Sequence, residues 1–255
     1  MLNLDLSRAL DPLAFAADCG LPEPDPWQSD LLMGQARKSL LLCARQTGKS
    51  TATALVALHQ AVYTPQSLVL LLSPSLRQSS ELFRKVADFW KALPSAPEAV
   101  QESVLRLELV NGSRICALPG SEGTVRGYSA ASLVVVDEAA RVSDELHGAI
   151  RPTLATSGGR FIALSTPSGR RGWFFESWEH GTGWQRFKVP ATDCPRISAS
   201  FLAEEERQLG PFLFKQEYEI EFLDDETSLF SSELIERAVS SEVLPLWPML
   251  SQPAA

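Results

Sequence analysis

Leu40-Leu41-Leu42-Cys43-Ala44-Arg45-Gln46-Thr47-Gly48-Lys49-Ser50 is an apolar run that ends in Gly-Lys-Ser. A buried strand running into such a tripeptide is how a sheet delivers a phosphate-binding loop: backbone N–H groups cradle the phosphates, the lysine reaches the outer ones, and the hydroxyl meets Mg²⁺. The usual pattern is G-x-x-x-x-G-K-[ST]. Here Cys43 stands where its first glycine belongs, and Arg45 lies inside the loop. The stretch points to a nucleoside triphosphatase with an atypical loop, in which Arg45, Gln46, Thr47, Gly48, Lys49 and Ser50 meet the nucleotide.

Outward from the loop, the spacing predicts a strand over 39–44 and a helix over 49–63 whose N-terminus faces the phosphates. A second apolar strand follows over 67–73, with an amphipathic helix over 76–93. Asn111-Gly112 between two β-rich runs predicts a hairpin over 104–118. Two more fully apolar strands are expected over 132–137 and 160–166, each ending in polar residues, and a further one over 184–189. Helices are expected over 200–209, with Pro211 opening the next over 212–220, and over 232–240. The pattern is α/β with a mainly parallel central sheet flanked by helices. Residues 1–26, broken by Pro22, Pro24 and Pro26, read as an entry helix and an extended segment ahead of a core over 27–195. Residues 196–240 read as a small helical lid or linker, and 241–255 as a disordered tail.

The chain has 255 residues, 45% apolar and 21% charged, enough for one large core. No apolar run approaches the ~20 residues of a membrane span, and Met1-Leu2-Asn3-Leu4-Asp5 lacks the order of a signal peptide, so no membrane contact is expected and the protein should stay inside a cell. The four cysteines form no C-x-x-C pair, which argues against a zinc site or disulfide framework. Of 31 acidic residues, 12 lie between Ser200 and Glu242 beside only 3 of the 23 basic ones, so the net charge of −8 belongs to the tail. The nearly neutral body carries local cations, Arg77, Arg84, Lys85 and Lys91 or Arg170 and Arg171, that either touch a phosphate backbone transiently or are simply solvated.

The second half of the site is Val134-Val135-Val136-Asp137-Glu138. A strand ending in two carboxylates at the same sheet edge as the loop suits Asp137 to Mg²⁺, with Ser50, and Glu138 to the water that attacks the γ-phosphate. Alone, such a pair is equally a helix cap. Two half-motifs about ninety residues apart, each on a strand of the right character, favour hydrolysis. Ser165, Thr166 and Pro167 end the next apolar strand, where they either sense the γ-phosphate and couple its loss to motion or form a plain turn. Gln28 can bond both N6 and N7 of adenine, or is surface. Arg45 in the loop and Arg126 in Gly123-Thr124-Val125-Arg126-Gly127 compete for the charge-neutralising role, the first in cis and the second as a finger offered to a neighbouring subunit.

Together, Trp27-Gln28, Ala-Arg-Gln-Thr-Gly-Lys-Ser at 44–50, Thr-Val-Arg-Gly at 124–127, Val-Val-Val-Asp-Glu-Ala at 134–139 and Leu-Ser-Thr-Pro-Ser-Gly at 164–169 resemble the ATPase domain of a phage terminase large subunit. The resemblance covers nearly all of 10–240, and residues 214–222 and 229–247 resemble the segments that close that domain and follow it. It implies a RecA-like P-loop fold of the ASCE type and ATP with Mg²⁺ as cofactors. It also implies a homo-oligomeric ring that drives double-stranded DNA into a procapsid alongside portal protein and small subunit, in the cytoplasm of a bacterial host. For the residues, it implies Gln28 at adenine, Lys49 and Ser50 at phosphates and metal, Asp137 at Mg²⁺, Glu138 as catalytic carboxylate, Ser165, Thr166 and Pro167 as the coupling turn, and Arg45 or Arg126 as the finger. Members usually continue into a nuclease domain, for which nothing after Trp247 has the length. ATPase without DNA cleavage is the expectation. The alternatives are a prophage remnant that binds ATP without packaging and a helicase-like DNA-dependent ATPase.

Overall fold

The computed structural model describes residues 2–224, and those up to Leu223 form one compact unit. The helix expected over 232–240, the tail and the linker after Leu229 lie outside the described residues.

Eight strands form one sheet: β1 (Lys38–Cys43), β2 (Leu68–Ser73), β3 (Ala99–Glu102), β4 (Arg106–Leu109), β5 (Arg114–Pro119), β6 (Leu133–Asp137), β7 (Arg160–Ser165) and β8 (Gln185–Val189). Their spatial order is β3-β4-β5-β2-β6-β7-β1-β8. The ladder from β5 to β8 is parallel throughout, and at one edge β4 alone is reversed, pairing antiparallel with both β3 and β5. The apolar middles of β1, β2, β6 and β7 follow from this, since a central parallel strand is covered on both faces. One layer sets Leu41, Val69, Leu71, Val135 and Ile162 against helices α4 (Lys49–Tyr63) and α5 (Leu76–Ala92). The other sets Leu40, Leu42, Leu70, Val134 and Val136 against α7 (Asp144–Leu154) and α8 (Gly172–Glu179).

The N-terminal residues are part of this core. Helix α1 spans Leu2–Leu10 and α2 Pro12–Asp18, capped by Asp11, whose carboxylate accepts the Leu13 N–H at 2.9 Å. Phe15 of α2 is fully buried, edge-on to His59 and Tyr63 of α4. Residues 21–25 carry no regular structure, as expected, and a helix not expected from the sequence begins at Pro26: α3 spans Pro26–Met33, with Pro26 in its first turn and the Gln28 side chain accepting the Asp25 N–H at 2.9 Å. Proline breaks a helix interior but suits the first turn, where its missing N–H costs nothing. The short helix α6 (Glu122–Val125) carries the Thr-x-Arg-Gly segment.

At the other end, Gly210 (φ 75°) interrupts α9 (Ala199–Phe214) and Pro211 opens its second part. A single π-helical turn over Lys215–Glu219 then closes on Ile220 in the left-handed region. Phe214, Tyr218 and Ile220 are buried in the second core layer, so this acidic segment is pinned beside the sheet.

Strand β7 sits between β1 and β6, and the registers Leu42↔Ser165 and Asp137↔Leu164 bring three strand ends level. The loop after β1, the carboxylates after β6 and the hydroxyls after β7 therefore share one edge, where open α/β sheets place their sites.

Candidate active site

The loop between β1 and α4 gets its shape from two left-handed residues, Gln46 (φ 61°) and Gly48 (φ 90°). Successive N–H groups in such a turn converge on a common point and favour an anion. Gly48 is also the N-cap of α4 and offers no side chain to the helix's first N–H groups. A methyl group at Gly48 would stand 2.5 Å from Gln28 Nε2. Gly48→Ala is therefore expected to cost about 1–2 kcal/mol, from the left-handed backbone and the displaced amide. Urea denaturation checks this, and an unchanged midpoint would show that the loop tolerates a side chain there.

The loop is braced from below by groups distant in sequence. Gln28 Nε2 donates to the Gly48 carbonyl at 3.4 Å, and the Thr47 hydroxyl donates to the Ala44 carbonyl at 3.0 Å. Arg196 forms two bonds to the Asp25 carboxylate, at 2.7 and 2.6 Å, and a third to the Thr47 carbonyl at 3.2 Å. A bidentate guanidinium fixes both partners in one plane. Cys43, in place of the usual glycine, is fully buried in the first core layer, and burial pushes its thiol up to about 12, so it stays protonated and inert.

Lys49, at the start of α4, is nearly buried and stands 3.9 Å from Glu138. The Ser50 hydroxyl donates to Asp137 at 3.2 Å, so the two residues expected at Mg²⁺ already adjoin. Burial holds the Asp137 carboxyl above the ordinary carboxylate range, against the pull of Lys49. A carboxylate desolvated to this degree and paired with a hydroxyl is a hard oxygen site that suits a divalent cation. Glu138 follows in the left-handed region at φ 52°, a strained position for a non-glycine residue.

Ser165 and Thr166, the residues expected to couple hydrolysis to motion, lie against this turn. Ser165 Oγ accepts the Ala140 N–H at 3.2 Å, and Thr166 Oγ1 accepts from Arg141 at 3.2 Å. Both hydroxyls are buried, so the end of β7 is bonded to the backbone and side chain that follow Glu138.

Two residues central to the site escape a reading of the sequence, Arg141 and Glu217. Arg141 donates to Glu138 at 2.7 Å and lies 3.5 Å from Glu217. Glu217, in the π-helical turn, receives Arg45 at 2.7 Å. Arg45 is thus turned toward the C-terminal segment, and Arg126 lies elsewhere: it is exposed and bonded to Glu122 in its own turn at 2.6 Å. No hydrogen bond or ion pair among the described residues joins Arg126 to Lys49, Asp137 or Glu138.

The cleft beside these groups is small, about 190 Å³. Ser50, Asp137 and Glu138 form one wall, and Arg77, Gln78, Glu81 and Lys85 of α5 the other. Arg77 and Lys85 therefore face this cleft. A larger cavity of about 690 Å³ opens among Arg37, Lys38 and Trp184, by the amino ends of β1 and β7, but holds none of the motif residues. The chemistry, not the size, selects the smaller one. Among the described residues, no three His, Cys, Asp or Glu side chains gather into a metal cluster, and no helix is long and apolar enough to cross a membrane.

Comparison with known proteins bears on the family and the fold. A family model described as the terminase large subunit, T4likevirus-type, N-terminal, matches residues 40–237. The large terminase subunit of Thermus phage G20c is 25% identical over 233 residues, covering 77% of this chain and 48% of the relative. The chain spans about half the length of the curated relatives it matches. Among solved structures, the Thermus phage P74-26 large terminase ATPase domain superposes with a TM-score of 0.70 at 23% identity, over 82% of this chain and 97% of that one. The large terminase of a thermophilic bacteriophage, solved in complex with ADP, superposes with a TM-score of 0.63 at 10% identity, over 84% of this chain and 52% of that one. At these identities the two structures speak for the fold alone, a mostly parallel α/β sheet flanked by helices.

Proposed function

The chain belongs to the terminase large subunit family, in its T4likevirus-type N-terminal class, and from that premise we propose that it hydrolyses ATP as the motor part of a DNA-packaging machine. The observation that carries this reading is the meeting of Ser50, Asp137 and Glu138 on one cleft at the carboxyl ends of β1 and β6, with Lys49 3.9 Å from Glu138. The large terminase of the thermophilic bacteriophage was solved with ADP and with ATP-γ-S, which supports a nucleotide as the ligand here.

In this mechanism the N–H groups of residues 46–49 and the Lys49 ammonium hold the phosphates, while Glu138 accepts a hydrogen bond from a water and aims it at the γ-phosphorus. The water oxygen bonds to phosphorus as the bond to the β–γ bridging oxygen breaks, giving ADP and phosphate. Mg²⁺, held by Ser50 and Asp137, would neutralise phosphate charge. Ser165 and Thr166, bonded to the Glu138 turn, would carry the change at the γ-phosphate into β7. Arg45 stands nearer to the site than Arg126 and is the candidate for charge neutralisation in cis; Arg126, exposed on its helix, is the candidate for a finger offered to a neighbouring copy in a ring. Gln28, whose amide is spent on Asp25 and Gly48, would meet adenine only by exchanging those bonds.

The proposal extends to the division of the chain: an entry segment over 1–26, a catalytic core over 27–195 and a lid or linker over 196–240. It extends also to the partners, double-stranded DNA, portal protein and small subunit, and to the host cytoplasm. The prophage-remnant and helicase-like readings are not favoured, because the matched family is that of packaging motors.

The test is phosphate release from Mg-ATP by the purified chain, measured with and without double-stranded DNA. Release that rises when DNA is added is expected. Release indifferent to DNA, portal protein and small subunit alike would remove the packaging part of the reading.

A further inference from the structure

Five charged side chains run in alternating order from the phosphate loop to the C-terminal turn: Lys49, Glu138, Arg141, Glu217 and Arg45. Glu217 is the least explained of them by the hydrolysis mechanism. Its side chain is only 13% exposed, and each of its two oxygens faces a different guanidinium. Oε2 takes Arg45 Nε at 2.7 Å and Oε1 stands 3.5 Å from Arg141 Nη2. The Glu217 backbone carbonyl also accepts the Arg45 N–H at 3.4 Å, so loop and turn are joined twice.

We propose that Glu217 is a built-in rival to the γ-phosphate for Arg45, a positioning residue from which ATP, but not ADP, must take that arginine. The proposal rests on the nucleotide reading of the cleft. Arg45 is 60% exposed at the end of a long side chain, whereas Glu217 is 13% exposed. The turn that carries it is anchored by buried Tyr218 and Ile220, and the Tyr218 hydroxyl bonds to Glu205 at 2.7 Å. A π-turn placed against a site is a feature of functional segments. Of the two anions competing for Arg45, the γ-phosphate has more charge and more acceptor oxygens.

The second arm gives the exchange a consequence. When Arg45 leaves Glu217, the freed carboxylate charge draws on Arg141 alone. Arg141 holds Glu138 at 2.7 Å and Thr166 at 3.2 Å, so the shift bears on the water-orienting carboxylate and on the coupling turn together. ADP ends at its β-phosphate, presents no such competitor, and leaves the Arg45–Glu217 bond in place.

The experiment measures the affinities of fluorescent ATP-γ-S and ADP analogues for the full chain, wild type and Glu217→Gln, at fixed low ionic strength. Glu217→Gln is expected to tighten the triphosphate about three- to fivefold, the worth of a partly exposed ion pair, and to move the diphosphate by less than about twofold. Glu217→Asp should restore most of the wild-type ratio. In an Arg45→Gln background, Glu217→Gln should no longer change the ratio, which separates competition for Arg45 from a general loosening of the turn. An unchanged ratio in Glu217→Gln, or a change that persists without Arg45, would overturn the proposal. Should Glu217→Gln fail to fold, the comparison of wild type with Arg45→Gln decides: loss of the triphosphate preference supports the exchange, and its retention refutes it. A wild-type chain that binds neither nucleotide would refute the nucleotide reading itself, a distinct result.

Discussion

Glu138→Gln is expected to lower ATP hydrolysis by about 10²–10⁴-fold while ATP still binds, the range for loss of a positioned acid–base group. The amide has the shape of the carboxylate but neither its charge nor its basicity, so it cannot draw a proton from the attacking water. The fold should survive, because the left-handed backbone at φ 52° is held by its surroundings: the Glu138 N–H donates to Asp137 at 2.9 Å, and the Arg141 N–H donates to the Glu138 carbonyl at 2.9 Å. Neither bond involves the replaced atoms. Tight ATP binding with stalled release of phosphate identifies Glu138 as the group that acts on water; turnover at the wild-type rate would remove it from the mechanism.

Lys49→Ala removes a different function and should fail at an earlier step. Lys49 is the nearly buried cation beside two carboxylates, 3.9 Å from Glu138 and acting on Asp137, whose carboxyl it pulls down against burial. Without it the cleft presents phosphates with Asp137 and Glu138 uncompensated. Loss of a charged hydrogen bond is worth about 1.5–3 kcal/mol, so ATP affinity should fall about tenfold to a hundredfold, and hydrolysis should fall to background. Alanine is the best helix former and sits at the first position of α4, so thermal unfolding should stay cooperative. Hydrolysis lost with affinity retained would assign Lys49 to the transition state alone.

What the sequence disclosed follows a physical division. The strands β1, β2, β6 and β7 were legible because a strand buried on both faces must be apolar throughout, and the phosphate loop was legible because Gly48 is demanded by its own backbone angle. The Asn111-Gly112 hairpin was legible for the same reason, with Gly112 at φ 80°. Helices α7 and α8 were not. The first contains Gly148 and Pro152, and the second is a short aromatic stretch, so neither shows a helical period strong enough to read. Helix α3 was hidden by the proline that starts it.

At the site, the residues proposed to touch phosphate or water announce themselves by local pattern, whereas those that hold them do not. Glu217 meets Arg45 across 172 positions and Arg196 meets Asp25 across 171, and an ion pair leaves no trace in the spacing of a single sequence. Arg141 was closer to hand, three residues beyond Glu138 in a turn where such side chains meet. The loop arginine shows only its charge in the sequence, and the fold alone reveals that its first partner is a carboxylate of the C-terminal turn.

If Lys49, Asp137 and Glu138 act together in one hydrolytic cleft, ATP turnover depends on Lys49. Phosphate release from Mg-ATP, measured side by side for wild type and Lys49→Ala at matched fold and concentration, tests it most directly. Release by the wild type and background in the variant is the predicted result; equal release from both would place the hydrolysis outside this cleft and contradict the account.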